Sequence, residues 1–336
     1  MNKSLNVLYQ SNDNYSVITG VSLTSLLLNN KEITDLNVYL LNDDISEVNL
    51  SKLRELCDEY HRKLIVVDTD LIIKELKSLG VKPFKNTYTT YFKLMSIDQI
   101  ALNNGVLFAI DGDTIITKSL IDLCDYDFED HLISATYDCT MNSYKKLIGI
   151  PLGDHFYNCG VLLINQNKWI EEGCKQKIVD HLLRERSGYY TADQDIINVL
   201  FRNRIKYLDL KYNFNSGFFI YGIKNSIKMY KLNSRVYNTA EEVETAQKDI
   251  HLYHCMGAMT GRPWEKGNIH PQNDLFDHYL HCSPWRDYEK KRTKRSWIFA
   301  VQKDLYIVLP RVVYIQIHKV FQYLYLYQMN EMVKKD

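Results

Sequence analysis

Through the first 210 residues, short β-rich runs alternate with longer segments in which apolar residues recur at helical spacing. This alternation favours an α/β domain built on a largely parallel sheet that helices cover. In open sheets of this kind, ligands bind beyond the carboxyl ends of the strands. The polar residues that follow Tyr9 and Ile110 are therefore the first candidates for a site. The predicted strands are 5–9, 35–41, 63–67 and 106–110, and the predicted helices are 16–28, 46–60 and 88–102.

Length and charge limit the number of domains and the class of partner. A chain of 336 residues, 46% of them hydrophobic, can bury one large core and carry a small appended unit. We expect one main domain over residues 1–265 and a C-terminal helical extension over residues 266–336. The 41 basic residues balance the 41 acidic ones. No net field attracts nucleic acid, so we predict no nucleic-acid partner.

The cysteines and the N-terminus indicate the compartment. Seven cysteines are scattered along the chain without a Cys-x-x-Cys pair, which is typical of free thiols in a reducing environment. The first residues lead into a strand-like run without the apolar stretch of a secretory signal. We therefore expect the protein to reside in the cytoplasm.

The C-terminal extension has a composition of its own. From Pro284 onward it carries eleven Lys and Arg against five Asp and Glu. A basic run over 286–295 precedes an aromatic and aliphatic segment over 297–329, which charged residues interrupt too often for a membrane-spanning helix. Two interpretations stay open. Residues 286–329 lie on an anionic membrane surface, as a peripheral protein would, or they form a helical cap packed on the main domain.

The strongest single motif is the apolar run 107–110, which ends in Asp111-Gly112-Asp113. Two carboxylates so close together repel each other, and a cation between them relieves the repulsion. Mg²⁺ and Mn²⁺ sites often combine one or two carboxylates with substrate phosphates. Turn chemistry explains the motif about as well, because Asp and Gly are favoured in turns.

Four further motifs combine polar groups with a strand or helix end, and each has a structural alternative. The loop 10–15 offers amides and an aromatic ring to a nucleobase, or caps the next helix. Residues 156–165 place Asn158 before a buried strand, or form a tight turn at Gly160. Residues 191–195 bring Asp193 and Gln194 to a helix start, where acidic residues also serve as caps. His254 follows a short apolar run and is either a ligand or a buried structural side chain.

In their order and spacing these motifs resemble glycosyltransferase family 8, which includes bacterial lipooligosaccharide galactosyltransferases and glycogenin. The resemblance covers about residues 5–265. It implies a glycosyltransferase-A fold, Rossmann-like, with a mostly parallel mixed sheet between helices. The motifs that carry it are Asn12-Asp13-Asn14-Tyr15, Thr89-Thr90-Tyr91-Phe92-Lys93-Leu94, Asp111-Gly112-Asp113, Tyr157-Asn158-Cys159-Gly160, Asp193-Gln194-Asp195 and His254-x-x-Gly257 ahead of Pro263-Trp264.

The resemblance implies a reaction and its cofactor. Members of the family transfer a hexose from a UDP-sugar with retention at the anomeric carbon, so the expected donor is UDP-glucose or UDP-galactose. The expected acceptor is a glycan, a glycolipid or a glycoprotein. Asp111, Asp113 and His254 correspond to the family's metal ligands. An imidazole ligand suits Mn²⁺ better than Mg²⁺, although Mg²⁺ also fits the carboxylates.

Further residues receive roles from the same resemblance. The expected uridine contacts are in the loop after the first strand, and Gly112 belongs to the metal and diphosphate turn. Lys93 replaces the family's usual Arg and so loses bidentate geometry, and Arg262 replaces a Lys in a stretch that is two residues longer. Asp138 is a weaker candidate for contact with sugar hydroxyls. The expected contacts are Gln10, Ser11, Asn12, Asn14 and Tyr15 for uridine, Lys93, Gly257 and Arg262 for phosphate or sugar oxygens, and Asn158, Asp193 and Gln194 for the hexose.

Two other functions compete with this interpretation. Haloacid-dehalogenase-type phosphatases also place Asp-x-Asp after a hydrophobic strand, but their motif continues differently and usually lies near the start of the domain. A non-catalytic carbohydrate-binding protein on the same fold is the second alternative, and the intact set of metal ligands argues against it.

Overall fold

A mixed sheet of seven strands forms the centre of the fold, and a sheet of three short strands lies beside it. The computed structural model describes residues 3–335 except 85, 103, 186–188, 190 and 258, and the side chains as far as residue 328. The strands in this part of the chain are β1 (Ser4–Asn12), β2 (Asp35–Asp43), β3 (Lys63–Asp68), β4 (Val106–Ile110), β5 (Thr114–Ile116), β6 (Ile133–Tyr137), β7 (Tyr157–Asn165), β8 (Ile205–Tyr207), β9 (Phe214–Asn215) and β10 (Leu252–His254).

Helices cover the large sheet and form the C-terminal part of the chain. Short 3₁₀ helices span Asp13–Tyr15, Ile97–Gln99, Ile121–Leu123, Arg202–Arg204 and Leu210–Tyr212. The α-helices are α1 (Ser16–Leu28), α2 (Glu47–Glu59), α3 (Asp70–Ser78), α4 (Thr89–Ser96), α5 (Asn142–Leu147), α6 (Gln166–Glu171), α7 (Cys174–Glu185), α8 (Asp193–Phe201), α9 (Gly217–Tyr221), α10 (Ile223–Tyr230), α11 (Ala240–Gln247), α12 (Asn273–His281), α13 (Trp297–Val308) and α14 (Arg311–Lys335).

The α/β fold class is confirmed. The four predicted strands are β1 to β4, and two of the predicted helices are α1 and α2. The helix predicted over 88–102 is shorter, because α4 ends at Ser96 and a 3₁₀ turn follows it. Along β4 the side chains alternate between two cores. Phe108 and Ile110 pack with α1 and α2, whereas Leu107 and Ala109 pack on the opposite face of the sheet.

Strand direction determines where the polar loops meet. The order in the large sheet is β3-β2-β1-β4-β7-β6-β8. Neighbours pair in parallel except at β7, which runs antiparallel to both β4 and β6. The amino end of β7 therefore reaches the same edge as the carboxyl ends of β1, β4 and β6.

The small sheet brings a distant segment to that edge. Its order is β5-β10-β9, and β10 pairs antiparallel with β5 so that His254 lies opposite Thr114. The backbone N–H of Cys255 donates to the carbonyl of Asp113 at 2.9 Å. This pairing fixes the end of β10 directly beside the turn that follows β4.

Part of the C-terminal extension packs into the main core. Trp285 is buried in the same core as α1 and α2, and a Cβ at Gly20 would lie 2.2 Å from its ring. Its indole N–H donates to Asn49 Oδ1 at 2.9 Å. The boundary predicted after residue 265 stays a prediction, although Trp285 and Tyr288, which lie beyond it, pack in or against this core.

The last two helices form a cap with an uncovered outer face. Tyr306, Tyr314 and Ile315 pack with Ile220 and Tyr221 of α9. Several apolar side chains of α13 and α14 remain exposed, among them Trp297, Val308, Val312, Val320 and Leu324. The helices of the described part of the chain include none with the length and apolar character that crossing a bilayer requires.

Replacement of Trp285 by alanine tests its place in the core. Deleting a buried Trp side chain typically costs about 3–5 kcal/mol, so we expect Trp285→Ala to lower the free energy of unfolding by about that amount. Urea unfolding followed by circular dichroism measures it. The matched control is Trp297→Ala, since Trp297 is 75% exposed. Equal stabilities of the two variants would contradict this packing.

Candidate active site

Two carboxylates and an imidazole converge at the carboxyl edge of the sheet. Asp111 and Asp113 follow β4, and His254 is the last residue of β10. One ligand atom from each of the three lies within 4.8 Å of the others, and His254 Nε2 is 3.3 Å from Asp113 Oδ1. Two oxygen donors and one nitrogen donor at this separation fit a divalent cation.

The imidazole is oriented by a residue that the sequence did not single out. Asn213 Oδ1 lies 3.1 Å from His254 Nδ1, and the amide nitrogen of Asn213 donates to Asn158 Oδ1 at 2.9 Å and to Thr136 Oγ1 at 3.1 Å. Because the amide oxygen only accepts, Nδ1 carries a proton, and Nε2 is the ring nitrogen that faces the carboxylates. Asn213 is 3% exposed, and no motif in the sequence marks it.

A glycine is required at position 160, because the side chains of His254 and Asp111 lie too close to its Cα to leave room for a Cβ. A Cβ at this position would lie 2.2 Å from His254 Cε1 and 3.0 Å from Asp111 Oδ2. The alternative of a tight turn at Gly160 is wrong, because the residue lies inside β7. Its carbonyl accepts the backbone N–H of Asp111 at 2.8 Å. The missing side chain leaves room for the imidazole beside the first carboxylate.

Two basic side chains flank the carboxylates. Arg262 Nη1 lies 3.0 Å from Asp113 Oδ2. Lys93 is 4% exposed, and its Nζ lies 3.3 Å from Asp111 Oδ1 and 2.7 Å from Asp193 Oδ2. Each carboxylate thus has a basic partner of its own, which lowers the cost of burying the acidic pair.

The pKa values of the three ligand side chains follow from this arrangement. Burial raises the pKa of Asp113, but His254 and Arg262 outweigh it and bring that pKa to about 2. Burial also raises the pKa of Asp111, against the opposing effect of Lys93. Burial lowers the pKa of His254, yet Asp113 opposes it and the net shift is upward. To bind a cation, His254 would lose the proton on Nε2 and offer the lone pair of that nitrogen.

Asp138, Asn158 and Gln194 form a hydrogen-bonded cluster beside the candidate metal ligands. Gln194 Nε2 donates to Asp138 Oδ2 at 3.2 Å, and Asn158 Nδ2 lies 3.4 Å from Asp138 Oδ1. The backbone N–H of Cys159 donates to Gln194 Oε1 at 3.1 Å. The structure therefore brings three of the predicted sugar-contacting residues together and holds their amides in fixed orientations.

Backbone strain marks the start of α8. Ala192, which precedes Asp193 and Gln194, has φ +47° and ψ −109°, a conformation that costs a non-glycine residue about 1–3 kcal/mol. The buried Asp195 anchors this turn, because it accepts the Tyr144 hydroxyl at 2.5 Å and the backbone N–H of Thr191 at 2.9 Å. Burial raises the pKa of Asp195 to about 6.

The loop after β1 caps the helix that follows it, as one interpretation of its sequence suggested, and its contact with a nucleobase stays a prediction. Asn12 Oδ1 accepts the backbone N–H of Tyr15 at 3.1 Å and so caps the 3₁₀ helix. Ser11 is buried, with its hydroxyl bonded to the Asn12 carbonyl and to Thr19. Gln10 Oε1 accepts the backbone N–H of Lys93 at 3.2 Å. These bonds give the loop a defined shape at the site.

Two of the remaining predicted nucleotide-binding residues, Asn14 and Tyr15, belong to this loop, and Gly112 and Gly257 lie outside it. Asn14 is exposed, and the ring of Tyr15 meets that of Trp264 edge to face at 5.8 Å. Gly112 lies against α1, where an added Cβ would be 3.3 Å from the Cα of Thr19. Gly257 has φ +132°, which favours glycine.

The sequence model described as Glycosyl transferase family 8 matches residues 6–267. The chain belongs to this family. This glycosyltransferase is 26% identical over 301 residues to a lipopolysaccharide 1,2-glucosyltransferase of Escherichia coli. The alignment covers 88% of the chain and 83% of the relative. The chain is also 26% identical over 290 residues to a lipopolysaccharide 1,3-galactosyltransferase of Salmonella typhimurium, covering 83% of the chain and 79% of the relative.

The glycosyltransferase-A fold is confirmed by a solved structure of the galactosyltransferase LgtC in complex with donor and acceptor sugar analogs. It superposes with a TM-score of 0.64 at 20% sequence identity and covers 84% of this chain and 99% of that one. The family makes the chain a transferase that acts on sugars. The haloacid-dehalogenase alternative is therefore wrong.

Asn213→Ala tests the orientation of the imidazole. Loss of an outer-shell partner typically lowers metal affinity about 10–100-fold, and we expect the Kd for Mn²⁺ to rise within that range. Electron paramagnetic resonance of free Mn²⁺ in a protein titration measures it. Asn233→Ala, at an exposed position, is the control. Unchanged Mn²⁺ affinity in Asn213→Ala would contradict the assigned orientation.

Proposed function

We propose that the protein is a metal-dependent, retaining hexosyltransferase that transfers glucose or galactose from a UDP-sugar to a glycan, glycolipid or glycoprotein acceptor. The observation that carries this proposal is the convergence of Asp111, Asp113 and His254 within 4.8 Å, between Arg262 and Lys93. The two lipopolysaccharide hexosyltransferases among the relatives support the class of donor sugar and acceptor.

The proposed metal is Mn²⁺, held by the two carboxylates and Nε2 of the imidazole. One imidazole among oxygen donors favours Mn²⁺ over Mg²⁺, which the same ligands also accept. When bound, the metal supplies Lewis acidity that stabilises the charge developing on the leaving diphosphate. The turn at Gly112 and the bare backbone of Gly160 let the ligands approach one another.

Arg262 and Lys93 are the proposed phosphate and sugar contacts of this chain. Both now pair with acidic side chains, Arg262 with Asp113 and Lys93 with Asp111 and Asp193. With a cation on the carboxylate oxygens, the guanidinium of Arg262 would be free to donate to two phosphate oxygens. Gly257 lies near Arg262 in sequence and would allow a close approach of the diphosphate to the backbone.

The donor hexose is proposed to bind in the cluster formed by Asp138, Asn158, Asp193 and Gln194. The carboxylates accept hydrogen bonds from sugar hydroxyls, and the amides both donate and accept. The amide of Gln194 is a weak nucleophile. We therefore propose that the acceptor attacks the face that the leaving UDP occupies, within an ion pair, so that configuration is retained.

Uridine is proposed to bind in the loop formed by residues 10–15. Gln10, Asn12 and Asn14 offer amide groups to the base and ribose, and Tyr15 offers a ring face or edge. The hydroxyl of Ser11 is satisfied inside the protein, so we propose that Ser11 shapes the loop without touching the nucleotide.

We also propose that the protein acts in the cytoplasm, at the inner face of the membrane. The basic side chains Lys291, Arg292 and Lys294 are exposed, and exposed apolar side chains follow them on α13 and α14. A basic stretch beside an apolar surface suits anionic lipid headgroups. The buried side of the same helices packs on α9, so the extension would be a cap and a membrane contact at once.

Charge reversal tests the membrane contact. Each basic residue near an anionic surface contributes about 1 kcal/mol, so Lys291→Glu with Arg292→Glu should lower binding to phosphatidylglycerol vesicles more than tenfold. Co-sedimentation measures it, with phosphatidylcholine vesicles as the neutral reference. Lys231→Glu with Lys248→Glu is the control of equal charge. Equal binding by both double variants would contradict the contact.

The proposed reaction is tested by release of UDP. Purified protein is incubated with a panel of UDP-sugars, with and without Mn²⁺, beside Asp113→Asn. We expect Mn²⁺-dependent turnover of a UDP-hexose, reduced at least 100-fold in the variant because one metal ligand loses its charge. Glu241→Gln on α11 is the isosteric control and should retain activity.

Two results of this assay would contradict the proposal. UDP-hexose turnover that needs no metal would remove the role of the three ligands. Metal-dependent UDP binding without release of UDP, with or without added acceptor, would instead favour a non-catalytic carbohydrate-binding protein on the same fold.

A further inference from the structure

A second cleft lies outside the candidate active site, between α9, β10 and the start of α12. Its volume is about 380 Å³, within the range of roughly 300–1,000 Å³ that is common for small-molecule sites. Most of its wall is apolar, and two polar side chains also line it. The lining residues are Phe219, Tyr253, Pro271, Gln272, Asp274 and Leu275.

The cleft lies on the other face of the small sheet from the metal ligands. Consecutive residues of a strand point to opposite faces. His254 faces Asp113, so Tyr253, the residue before it in β10, faces away. The ring of Tyr253 is 6.1 Å from that of Phe219, with 32° between their planes. The two rings are half-buried and present aromatic surface to the cleft.

One of the polar side chains that line the cleft is a buried amide with an unmet hydrogen bond. Gln272 is 5% exposed, and its side-chain oxygen has no hydrogen-bond partner among the described residues. Leaving a buried polar atom without a partner costs about 1–3 kcal/mol. The side chain of Asp274, by contrast, is exposed. A buried amide and an accessible carboxylate thus lie beside two aromatic rings.

We infer that this cleft is a second saccharide subsite, which holds a pyranose unit of the acceptor glycan away from the unit that reacts. The inference rests on the proposed transfer to a glycan. Pyranose rings have an apolar C–H face that packs on aromatic rings and an edge of hydroxyls that carboxylates and amides bind. The aromatic and polar residues that line the cleft match these two parts of one sugar unit.

A hydrogen bond connects the cleft to the active-site loop. His270 Nε2 lies 3.1 Å from the carbonyl oxygen of Met256, and the backbone N–H of Gln272 donates to His270 Nδ1 at 3.1 Å. Met256 is two residues from His254 and next to Gly257. The segment that lines the cleft is therefore attached to the loop that flanks the proposed donor site.

Saturation-transfer difference NMR of the full chain tests the subsite. The probes are methyl glucoside, methyl galactoside, lactose and maltotriose, without metal or nucleotide. We expect a signal from at least one probe, and a reduction of at least fivefold in Asp274→Ala and in Tyr253→Ala. The control is Glu59→Ala, an exposed acidic residue on α2. Circular dichroism verifies that each variant is folded. If Tyr253→Ala does not fold, the result for Asp274→Ala alone decides whether the subsite exists.

The outcomes separate this inference from the proposed reaction. Asp113→Asn should keep the full saccharide signal although it loses turnover. Asp274→Ala should lose the signal but keep the metal-dependent release of UDP that is measured without an acceptor. No signal from any probe, or a signal that Asp274→Ala and Tyr253→Ala leave unchanged, would overturn the subsite while the transferase proposal stands. A signal that falls with Asp113→Asn alone would also overturn it, because the sugar would then bind at the donor site.

Discussion

The repulsion between two buried carboxylates, Asp111 and Asp113, is the constraint around which the site is built. Elements from distant parts of the chain each bring a compensating group to this turn. Helix α4 supplies Lys93, β10 supplies His254, and the segment after β10 supplies Arg262. Burying any one of these side chains alone would destabilise the fold, because a buried charge without a partner is strongly destabilising. Together they allow two acidic oxygens to stay side by side at the end of a sheet.

Much of the first half of the fold could be predicted from the sequence. Strands β1 to β4 are five to nine residues long, and their apolar runs lie between clear helical patterns. The strands β8, β9 and β10 have only two or three residues, too few for a periodic pattern. The reversed direction of β7 was not predictable either, since alternation of side chains carries no sign of strand direction. The small sheet that positions the imidazole was therefore missed.

The site was predictable to a similar extent. The carboxylates, His254 and the cluster of Asp138, Asn158 and Gln194 do meet in space, as the resemblance to the family implied. Asn213 was missed because its function is a contact across strands that leaves no local motif. The burial of Trp285 in the core was also missed. A basic run follows this residue directly, so the local sequence pattern predicts an exposed segment. A sequence pattern therefore predicts which residues of a motif carry the chemistry, but it does not predict which distant residue orients them.

The pairing of β10 with β5 also has a consequence for the order of folding. His254 and Thr114 are partners in this ladder although 140 residues separate them in the chain. Contacts between such distant residues form late, since a large loop must close before they are gained. The large sheet can therefore assemble while the acidic turn is still hydrated. The acidic turn then loses its water in the same step in which His254 reaches it. During synthesis on the ribosome, the turn therefore stays hydrated until the last quarter of the chain emerges.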